Sequence, residues 1–481
     1  MAARGQTGTG IDEVDDIAAT GSLPLVVDLD GALIRSGLLA ESFLALLSAD
    51  PSRALSALAN GPGDRRTAIV HAATNEFHGL AFNEELIALL RAEKAKGRRV
   101  FLAAAYEQLA AGVAAHIGLF DGVLVSDGGP ARAELLCRTF GRGNFDYAGG
   151  RPSDIEVWRA AAGVLAVGPT PALARIIRRD FPHASVVSPR TRRVSDYVRA
   201  LRPHQWLKNL LVLVPVFTAH HFDRASLLAA LLAVVSFSLC ASSAYVLNDL
   251  LDIRSDRDHP TKRDRPFAAG RIGIGHGVAL FAAALALSVA IAWPLPWRFL
   301  LALAVYYALT LSYSLFLKRR ILLDVIALAC LYDMRLVGGA AAAAVVLSPW
   351  ILTFSVFLFL SLALVKRWAE VVDRIRADKG DLTGRDYQLA DLPVLQVMAT
   401  ASAYVAVLVF CLYINSPIVA DLYREPYTLW AIPLILLYWL SRVLILTHRG
   451  EMLDDPVLFA AKDRVSLICG VLMIGAVVAG I

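Results

Sequence analysis

The pattern of hydrophobic and polar positions changes near residue 207. Before that point, apolar runs of strand length alternate with charged stretches, which is typical of a domain with a buried core and a water-exposed surface. After it, apolar stretches approach the roughly 20 residues that a helix needs to cross a bilayer. We predict about nine spans, at residues 207–222, 226–247, 276–293, 298–316, 321–343, 349–366, 394–414, 427–447 and 464–481.

The first part of the chain repeats one pattern, an apolar strand followed by a loop. The pattern occurs in PLVVDLDG (24–31), GRRVFLAAAYE (97–107), FDGVLVSDGG (120–129) and AGVLAVGP (162–169). Strands that alternate with helical stretches indicate an α/β domain with a parallel sheet, whose site lies at the carboxyl ends of the strands. We therefore predict a multi-domain protein with a flexible N-terminus (1–20), an α/β domain (21–187), an amphipathic linker (188–206) and an all-α membrane domain of about nine transmembrane helices (207–481).

Basic residues gather in alternate polar loops of the second part. They precede the first span, follow the second and recur near residues 318–320 and 366–385, while the other loops hold few. Positively charged loops stay in the cytosol. We therefore expect a multi-pass protein of the inner or plasma membrane, with the α/β domain and the large polar loops on the cytosolic side. The net charge of +5 then reflects topology and anionic lipid headgroups and does not indicate a nucleic-acid partner.

One polar loop carries a dense run of charge, NDLLDIRSDRDHPTKRDRPFAAG (248–270). Asp249, Asp252 and Asp256 are spaced i, i+3, i+7, so a continuing helix places all three on one face. Mg²⁺ prefers oxygen ligands and often joins a few carboxylates to substrate phosphates, so this face is a candidate magnesium and catalytic site. Three bases follow that can bind the outer oxygens of a diphosphate, namely Lys262, Arg263 and Arg265. The alternative is a juxtamembrane charge cluster that only fixes topology.

The pattern N-D-x-x-D-x-x-x-D resembles the diphosphate-binding motif of the UbiA-type intramembrane prenyltransferase superfamily, whose members have nine helices around a polar cavity. The resemblance covers roughly residues 195–481. Within the superfamily, the chain looks most similar to the polyprenyl (decaprenyl)-phosphate phosphoribosyltransferases. The stretches that carry this likeness are RPHQWLKN (202–209), HPTKRDRPFAAG (259–270), YSLFLKR (313–319), KRWAEV (366–371) and DDPVLFAAKDR (454–464).

The resemblance implies an Mg²⁺-dependent transfer of 5-phosphoribose from phosphoribosyl diphosphate to a polyprenyl phosphate. We expect the substrates to be bound by Asn248, Lys262, Arg263, Arg265, Lys208, Lys318, Asp324, Arg335 and Lys366. Aromatic prenyltransferases of the superfamily carry a second D-x-x-x-D motif, and here the corresponding helix opens with Asp324 but has Leu328 in place of the second carboxylate. This departure counts against a prenyl diphosphate donor.

Asp333 and Arg335 lie well inside an apolar span. Ionisable groups at that depth cost several kcal/mol unless they are paired or face a polar cavity. Because residues two apart on a helix do not face each other, each needs another partner. Arg335 is a candidate ligand for a substrate phosphate, and a structural ion pair with a neighbouring helix is the alternative. Gly338 and Gly339 are expected to permit close helix packing.

The segment D-x-D-G after the first strand resembles the haloacid-dehalogenase-like phosphohydrolases. The likeness implies that Asp28 is the phosphoryl acceptor, Asp30 the general acid and base, and Asp154 a metal ligand. However, Ala103, Ala104 and Ala105 stand where a phosphate-binding Ser or Thr is expected, and residues 127–150 contain no Lys, although Arg132 is a substitute with a different shape. We expect a degenerate phosphatase whose removal leaves transfer largely intact.

Three alternatives remain open at the level of sequence. One is an ordinary prenyltransferase that moves a prenyl group from its diphosphate to an aromatic or other polar acceptor. Another is a bifunctional transferase and phosphatase, and a third is a transporter or membrane anchor without turnover. The expected partners are the two substrates and the lipid bilayer, and the oligomeric state, including a homo-oligomer, is open.

Overall fold

The computed structural model describes residues 22–34, 37–50, 52–54, 56, 80, 82–187, 193–259, 261–376, 386–452 and 455–481. The predicted flexible N-terminus (1–20) and the first residues of the predicted linker (188–192) lie outside these ranges. The chain divides into two compact units. The first contains Met1–Ala200 and Val246–Ala279, and the second contains Leu201–Tyr245 and Leu280–Ile481. The segment with the clustered aspartates therefore belongs to the same unit as the N-terminal 200 residues.

A parallel sheet forms the centre of the first unit. Its six strands are β1 (Leu25–Asp28), β2 (Val100–Ala104), β3 (Gly122–Val125), β4 (Asp146–Gly149), β5 (Gly163–Val167) and β6 (Ser185–Val187). Their order is β3-β2-β1-β4-β5-β6, and every neighbouring pair is parallel. The direction of strand addition reverses between β1 and β4, and ligands of such sheets bind at the carboxyl ends of the strands beside this point. The predicted α/β domain with a parallel sheet is confirmed, whereas its haloacid-dehalogenase-like identity stays a prediction.

Helices cover both faces of this sheet. They are α1 (Leu38–Ala49), α2 (Glu84–Ala95), α3 (Glu107–Ile117), α4 (Gly129–Phe140), α5 (Ile155–Trp158) and α6 (Pro171–Asp180), and a further helix, α7 (Val194–Leu201), follows β6 along the chain. Successive strand residues point to opposite faces. Accordingly, Leu25 and Val27 pack in one hydrophobic core with residues of α2 and α3, while Val26 packs in another with residues of α4, α5 and α6. A strand buried on both faces reads as the continuous apolar run seen in the sequence.

The remaining helices are mostly long and apolar. They are α8 (Val214–Thr218), α9 (Arg224–Leu251), α10 (Ile253–Asp258), α11 (Ile274–Ala292), α12 (Trp297–Leu315), α13 (Leu323–Ala342), α14 (Pro349–Arg376), α15 (Leu392–Ile414), α16 (Pro417–Leu422), α17 (Ala431–His448), α18 (Pro456–Lys462) and α19 (Arg464–Gly480). Within the described residues, seven helices are long and apolar enough to span a membrane, or eight if the bent pair α18 and α19 forms one span. The chain is therefore an integral membrane protein, and the total of nine stays a prediction.

The predicted first span at residues 207–222 is not one continuous helix. The chain forms a 3₁₀ helix over Pro203–Leu213, followed by the five-residue α8. Pro215 explains the break, because a proline inside an α-helix removes a backbone donor and clashes with the carbonyl four residues earlier. The 3₁₀ segment packs tightly on α13, since a Cβ atom at Gly339 would overlap the carbonyl oxygen of Val212. The prediction that this glycine permits close packing is confirmed.

The last predicted span, 464–481, corresponds to α19, which meets α18 at an angle of 83°. Asp463 lies at this bend. Its carboxylate accepts the backbone N–H of Ser466 at 2.8 Å and forms two hydrogen bonds with the guanidinium of Arg442, at 2.6 and 3.1 Å. A carboxylate before the first turn of a helix satisfies otherwise unpaired N–H groups, so the start of α19 is fixed at this residue.

A buried ion pair joins α13 to α14 in the second unit. Arg367 donates from Nε to Oδ2 of Asp324 at 2.6 Å, and both side chains are fully buried. The hydroxyl of Tyr387 donates to Oδ1 of the same carboxylate at 2.6 Å. Asp324, which we expected to bind substrate, therefore lies within the helix packing, because its oxygens accept hydrogen bonds from neighbouring protein groups. The structure thus shows a packing role for Asp324, and its expected contact with substrate stays a prediction.

We predict that Asp324→Asn lowers the thermal unfolding temperature of the protein in detergent. Removing one partner of a buried ion pair typically costs ~3–5 kcal/mol, because the other charge stays buried without compensation. Glu370→Gln is the matched control, since Glu370 also binds Arg367 but is partly exposed, and a smaller shift is expected. An unchanged unfolding temperature for Asp324→Asn would contradict the structural role of the pair.

Candidate active site

The clustered aspartates lie where α9 gives way to α10. Helix α9 ends at Leu251 and α10 begins at Ile253, so the three carboxylates do not share one continuous helix as expected. Asp252 lies at the break, and its Oδ2 accepts a hydrogen bond from the side-chain amide of Asn248 at 2.9 Å. The backbone N–H of Asp252 still donates to the carbonyl oxygen of Asn248 at 2.9 Å, and that of Asp256 to the carbonyl oxygen of Asp252 at 2.8 Å, so the interruption is confined to one residue. The break therefore corrects the predicted single helical face.

Two of the three aspartates converge on one arginine. Nη1 of Arg265 donates to Oδ1 of Asp249 at 3.1 Å and to Oδ2 of Asp256 at 2.7 Å. Both aspartates are buried. Burial raises the pKa of Asp256 above its usual range, while the charge and hydrogen bond of Arg265 oppose the rise. Two buried carboxylates around a single cation form a pocket that holds positive charge.

The predicted group of three metal-binding carboxylates is not assembled in the part of the chain that the structure describes. Asp249 and Asp256 nevertheless fit Mg²⁺, which commonly binds one or two carboxylates and completes its octahedron with waters and substrate phosphates. Among the predicted diphosphate ligands of this loop, Arg265 contacts the carboxylates, whereas Lys262 and Arg263 are exposed in a 3₁₀ turn, Lys262–Asp264. The geometry therefore gives Arg265 a more direct role than its two neighbours.

A second polar cluster lies in the second unit and centres on Arg335. Its Nε donates to Oδ1 of Asn209 at 2.9 Å and its Nη2 to the hydroxyl of Tyr306 at 3.1 Å. The guanidinium also lies over the rings of Tyr306 and Tyr332, with 5.0 and 5.4 Å between its carbon and the ring centroids. No carboxylate pairs with Arg335 among the described residues, so the proposed structural ion pair is not found there. Hydrogen bonds and aromatic faces hold the cation instead.

Lys208 and Lys366 add positive charge near the same ring. The Lys208 ammonium lies 5.8 Å from the centroid of Tyr332 and pairs with Asp455, whose other oxygen caps the first turn of α18. Lys366 lies close enough to Asp455 and Lys208 to interact with both electrostatically. Arg335 and Lys208 therefore lie over one tyrosine ring and Lys366 lies nearby, with Asp455 paired to Lys208 and Glu370 close to Lys366. Such an excess of positive charge favours an anionic ligand.

The other predicted residues of this unit have different surroundings. Lys318 is half-buried in the 3₁₀ turn Leu317–Arg319 that follows α12. Asp333 accepts a hydrogen bond from the hydroxyl of Ser355, so its partner is a neutral group rather than a cation.

Sequence reasoning missed Tyr306 and Tyr332, because tyrosines within apolar spans look like ordinary packing residues. Their position near Arg335 becomes visible only when the helices are packed.

The aspartates of the α/β domain gather at the carboxyl ends of β1 and β4. Asp28 ends β1 and forms a buried ion pair with Arg132 of α4, while Asp30 pairs with Arg151 at 2.9 Å. Oδ2 of Asp154 accepts the backbone N–H groups of Gly150 and Arg151 at 2.9 and 2.8 Å. Asp28 and Asp30 therefore line one cavity, and Asp154 lies near enough to Asp28 to act on its charge, while their predicted roles in phosphoryl transfer stay predictions.

The chemistry of this site differs from that of a working phosphohydrolase. Burial raises the pKa of Asp28, the nearby Asp154 raises it further, and Arg132 opposes both effects. The guanidiniums of Arg132 and Arg151 pair with Asp28 and Asp30 in this site. The end of β2 contributes Ala104 and Ala105 to the cavity, which bring no hydroxyl. The site therefore lacks the hydroxyl and the ammonium that the resemblance to phosphohydrolases leads us to expect.

Comparison with known proteins identifies the membrane part. A model of the UbiA prenyltransferase family matches residues 211–462, about half of the chain, so the chain belongs to this family and is a UbiA-superfamily transferase. The protein y4nM of Sinorhizobium fredii is 35% identical over 95% of this chain and 90% of its own length. The nodulation protein NoeC of Azorhizobium caulinodans is 35% identical over 57% of this chain and 89% of its own length.

A third relative is named for its activity. The decaprenyl-phosphate phosphoribosyltransferase of Mycolicibacterium smegmatis is 38% identical over 37% of this chain and 58% of its own length. The chain therefore spans less than two thirds of that relative. The resemblance to the UbiA superfamily drawn from the aspartate motif is confirmed, together with homology to phosphoribosyltransferases.

We predict that the full-length protein releases almost no phosphate from an aryl phosphate in the presence of Mg²⁺. The missing hydroxyl and the missing ammonium each represent a lost electrostatic contribution, and such single losses cost ~10²–10³ in rate. The measurement is phosphate release by the wild type and by Asp28→Asn, with equal background rates expected. Rapid release that disappears in Asp28→Asn would contradict this prediction and make the protein bifunctional.

Proposed function

We propose that this transferase moves 5-phosphoribose from phosphoribosyl diphosphate to a polyprenyl phosphate. The observation that carries the proposal is the convergence of Asp249 and Asp256 on Arg265, which provides oxygen ligands and a cation suited to a diphosphate. The similarity to a decaprenyl-phosphate phosphoribosyltransferase supports the choice of donor and acceptor. Leu328, in place of a second carboxylate four residues after Asp324, further disfavours a prenyl diphosphate donor.

The donor is bound by the aspartate segment. Asp249 and Asp256 would hold Mg²⁺, which supplies positive charge to the leaving diphosphate as the anomeric carbon becomes electron-poor. Arg265 binds the diphosphate oxygens, and Asn248 orients Asp252 through the amide hydrogen bond at 2.9 Å. Lys262 and Arg263 are exposed and reach outer oxygens from the surface of the loop. The diphosphate leaves as the lipid phosphate attacks the anomeric carbon. The reaction therefore needs no nucleophile from the protein.

The acceptor phosphate is bound by the cations around Tyr332. Arg335 and Lys208 orient its oxygens, and Lys366 adds charge to the same region. Nearby cations favour the ionised form of a phosphate, which is the nucleophilic form. Asn209 and Tyr306 keep the guanidinium of Arg335 in place through their hydrogen bonds. The excess of basic residues in alternate loops supports a reaction at the cytosolic leaflet of the inner or plasma membrane.

The second candidate is transfer of a prenyl group from its diphosphate to an aromatic or other polar acceptor. The family name favours this reaction. Both candidates use the same aspartates, so the identity of the donor distinguishes them. An added phosphatase step would require the α/β domain to be active, which its alanine-lined cavity disfavours.

We predict that the purified protein incorporates labelled phosphoribosyl diphosphate into a lipid-extractable product when a polyprenyl phosphate is supplied. Asp256→Asn should lower the rate by roughly 10–100-fold or more, because it removes charge that binds the metal and its diphosphate. Asp252→Asn should also abolish transfer while the protein stays folded. The matched control is Asp258→Asn, an exposed carboxylate on the same short helix, which should retain activity.

Two results would contradict these predictions. Product formed from a prenyl diphosphate and an aromatic acid, with none from phosphoribosyl diphosphate, would overturn the proposed reaction. Full activity in Asp256→Asn would show that the aspartate segment fixes topology rather than catalysing transfer.

We also predict that Arg335→Gln raises the KM for the lipid phosphate by about tenfold or more, since a charged hydrogen bond typically contributes ~1.5–3 kcal/mol. The KM for the diphosphate donor should change little. Arg298→Gln, which removes an exposed arginine, is the control and should behave as the wild type. Equal increases in both KM values, or a normal KM for the lipid, would contradict the assignment of Arg335 to the acceptor.

A further inference from the structure

A buried ion pair connects α1 of the α/β domain with the aspartate segment. Glu41 lies on α1, and Arg257 lies on α10 directly after Asp256. Nη2 of Arg257 donates to Oε1 of Glu41 at 2.6 Å, and Nη1 donates to Oε2 at 3.0 Å. The exposed fraction is 1% for the Glu41 side chain and 11% for that of Arg257. Two parallel hydrogen bonds between a carboxylate and a guanidinium fix both position and orientation.

Arg257 also holds the loop that carries Arg265. Its Nε donates to the carbonyl oxygen of Ala268 at 3.0 Å. Ala268 is three residues beyond Arg265, whose guanidinium binds Asp249 and Asp256. Arg257 therefore connects three parts of the first unit, namely α1, α10 and the loop after α10. Its position determines how Asp256 and Arg265 face each other.

A second attachment lies further along the same loop. Nε of Arg271 lies 3.1 Å from Oδ1 of Asp196 on α7, and the rings of Tyr197 and His276 are 6.4 Å apart. The side chain of Arg271 is 35% exposed, whereas that of Arg257 is 11% exposed. Exposed pairs contribute little, whereas a desolvated bidentate pair has a strict geometry. Glu41 is therefore the stronger of the two attachments.

We propose that Glu41 is a positioning residue through which the α/β domain sets the geometry of the diphosphate site. The inference rests on the proposed function insofar as the aspartate segment binds the donor. Glu41 acts through Arg257 and has no direct role in the reaction. The α/β domain, although degenerate as a phosphatase, is thus required for donor binding, contrary to the expectation that transfer survives its removal.

Glu41→Gln tests this proposal in the full-length protein. The substitution keeps the size of the side chain but replaces a charged two-oxygen partner with an amide. We expect kcat/KM for the diphosphate donor to fall by roughly 10–100-fold, the range typical of residues that orient a metal-binding group. The KM for the lipid phosphate should change little. Combining Glu41→Gln with Arg257→Gln should cost less than the product of the two single effects, because both variants break the same pair.

Hydrogen–deuterium exchange gives a readout that is independent of the substrate. In Glu41→Gln, backbone amides of α10 and of residues 261–271 should exchange faster, while those of β1, β2 and β4 remain as in the wild type. Glu134→Gln is the matched control, because it breaks an exposed pair with Arg138 on the sheet-covering helix α4. Both kinetics and exchange should be unchanged in this control.

The outcomes separate the two proposals. Faster exchange of the loop together with prenyl rather than phosphoribosyl transfer would support the positioning role and overturn the proposed donor. Wild-type exchange and wild-type donor kinetics in Glu41→Gln would overturn the positioning role whatever the donor is. A lower unfolding temperature with an unchanged KM for the donor and unchanged loop exchange would also overturn it, since it would reduce Glu41 to a structural residue.

Discussion

A guanidinium that leaves water loses hydration worth several kcal/mol, and this structure depends on how that loss is offset. Buried or partly buried arginines recur at its key positions, namely Arg132, Arg257, Arg265, Arg335 and Arg367. Within the described part of the chain, a carboxylate pairs with each of them except Arg335. Arg265 and Arg367 each pair with a second acidic residue as well. The planar fork of arginine suits such sites better than a lysine ammonium, because it satisfies several acceptors at once.

Arg335 differs from the others in its compensation. Its partners are an amide, a hydroxyl, a carbonyl and two aromatic rings, so its positive charge remains available. Arg265 is the opposite case, because one of its nitrogens donates hydrogen bonds to two carboxylates. One site thus has an excess of positive charge and the other an excess of negative charge. These are the properties expected of a site for a lipid phosphate and a site for a metal-bound diphosphate.

Local pattern predicted the membrane helices and the parallel sheet, because helical length and strand alternation are encoded in neighbouring residues. The same reasoning failed at residues 207–222, where Pro215 breaks a stretch of sufficient hydrophobicity. It also failed at Asp252, where α9 gives way to α10 and the expected continuous helix is interrupted. The aspartate motif was found from its spacing, but the partners of Asp324 and Arg335 were not. Apart from the Leu331 carbonyl and the Tyr332 ring, those partners lie 29 to 126 residues away along the chain and depend on packing that no local window contains.

The pairing of Glu41 with Arg257 also has a consequence for biosynthesis. The two residues are 216 positions apart, so the carboxylate leaves the ribosome well before its partner. At typical synthesis rates of ~5–20 residues per second, that interval lasts roughly 10–40 s. During this time the N-terminal sheet has its own core, but the ion pair between Glu41 and Arg257 cannot yet form. Completion of the first unit therefore waits for translation to pass the long helix α9, which couples maturation of the water-exposed domain to membrane insertion.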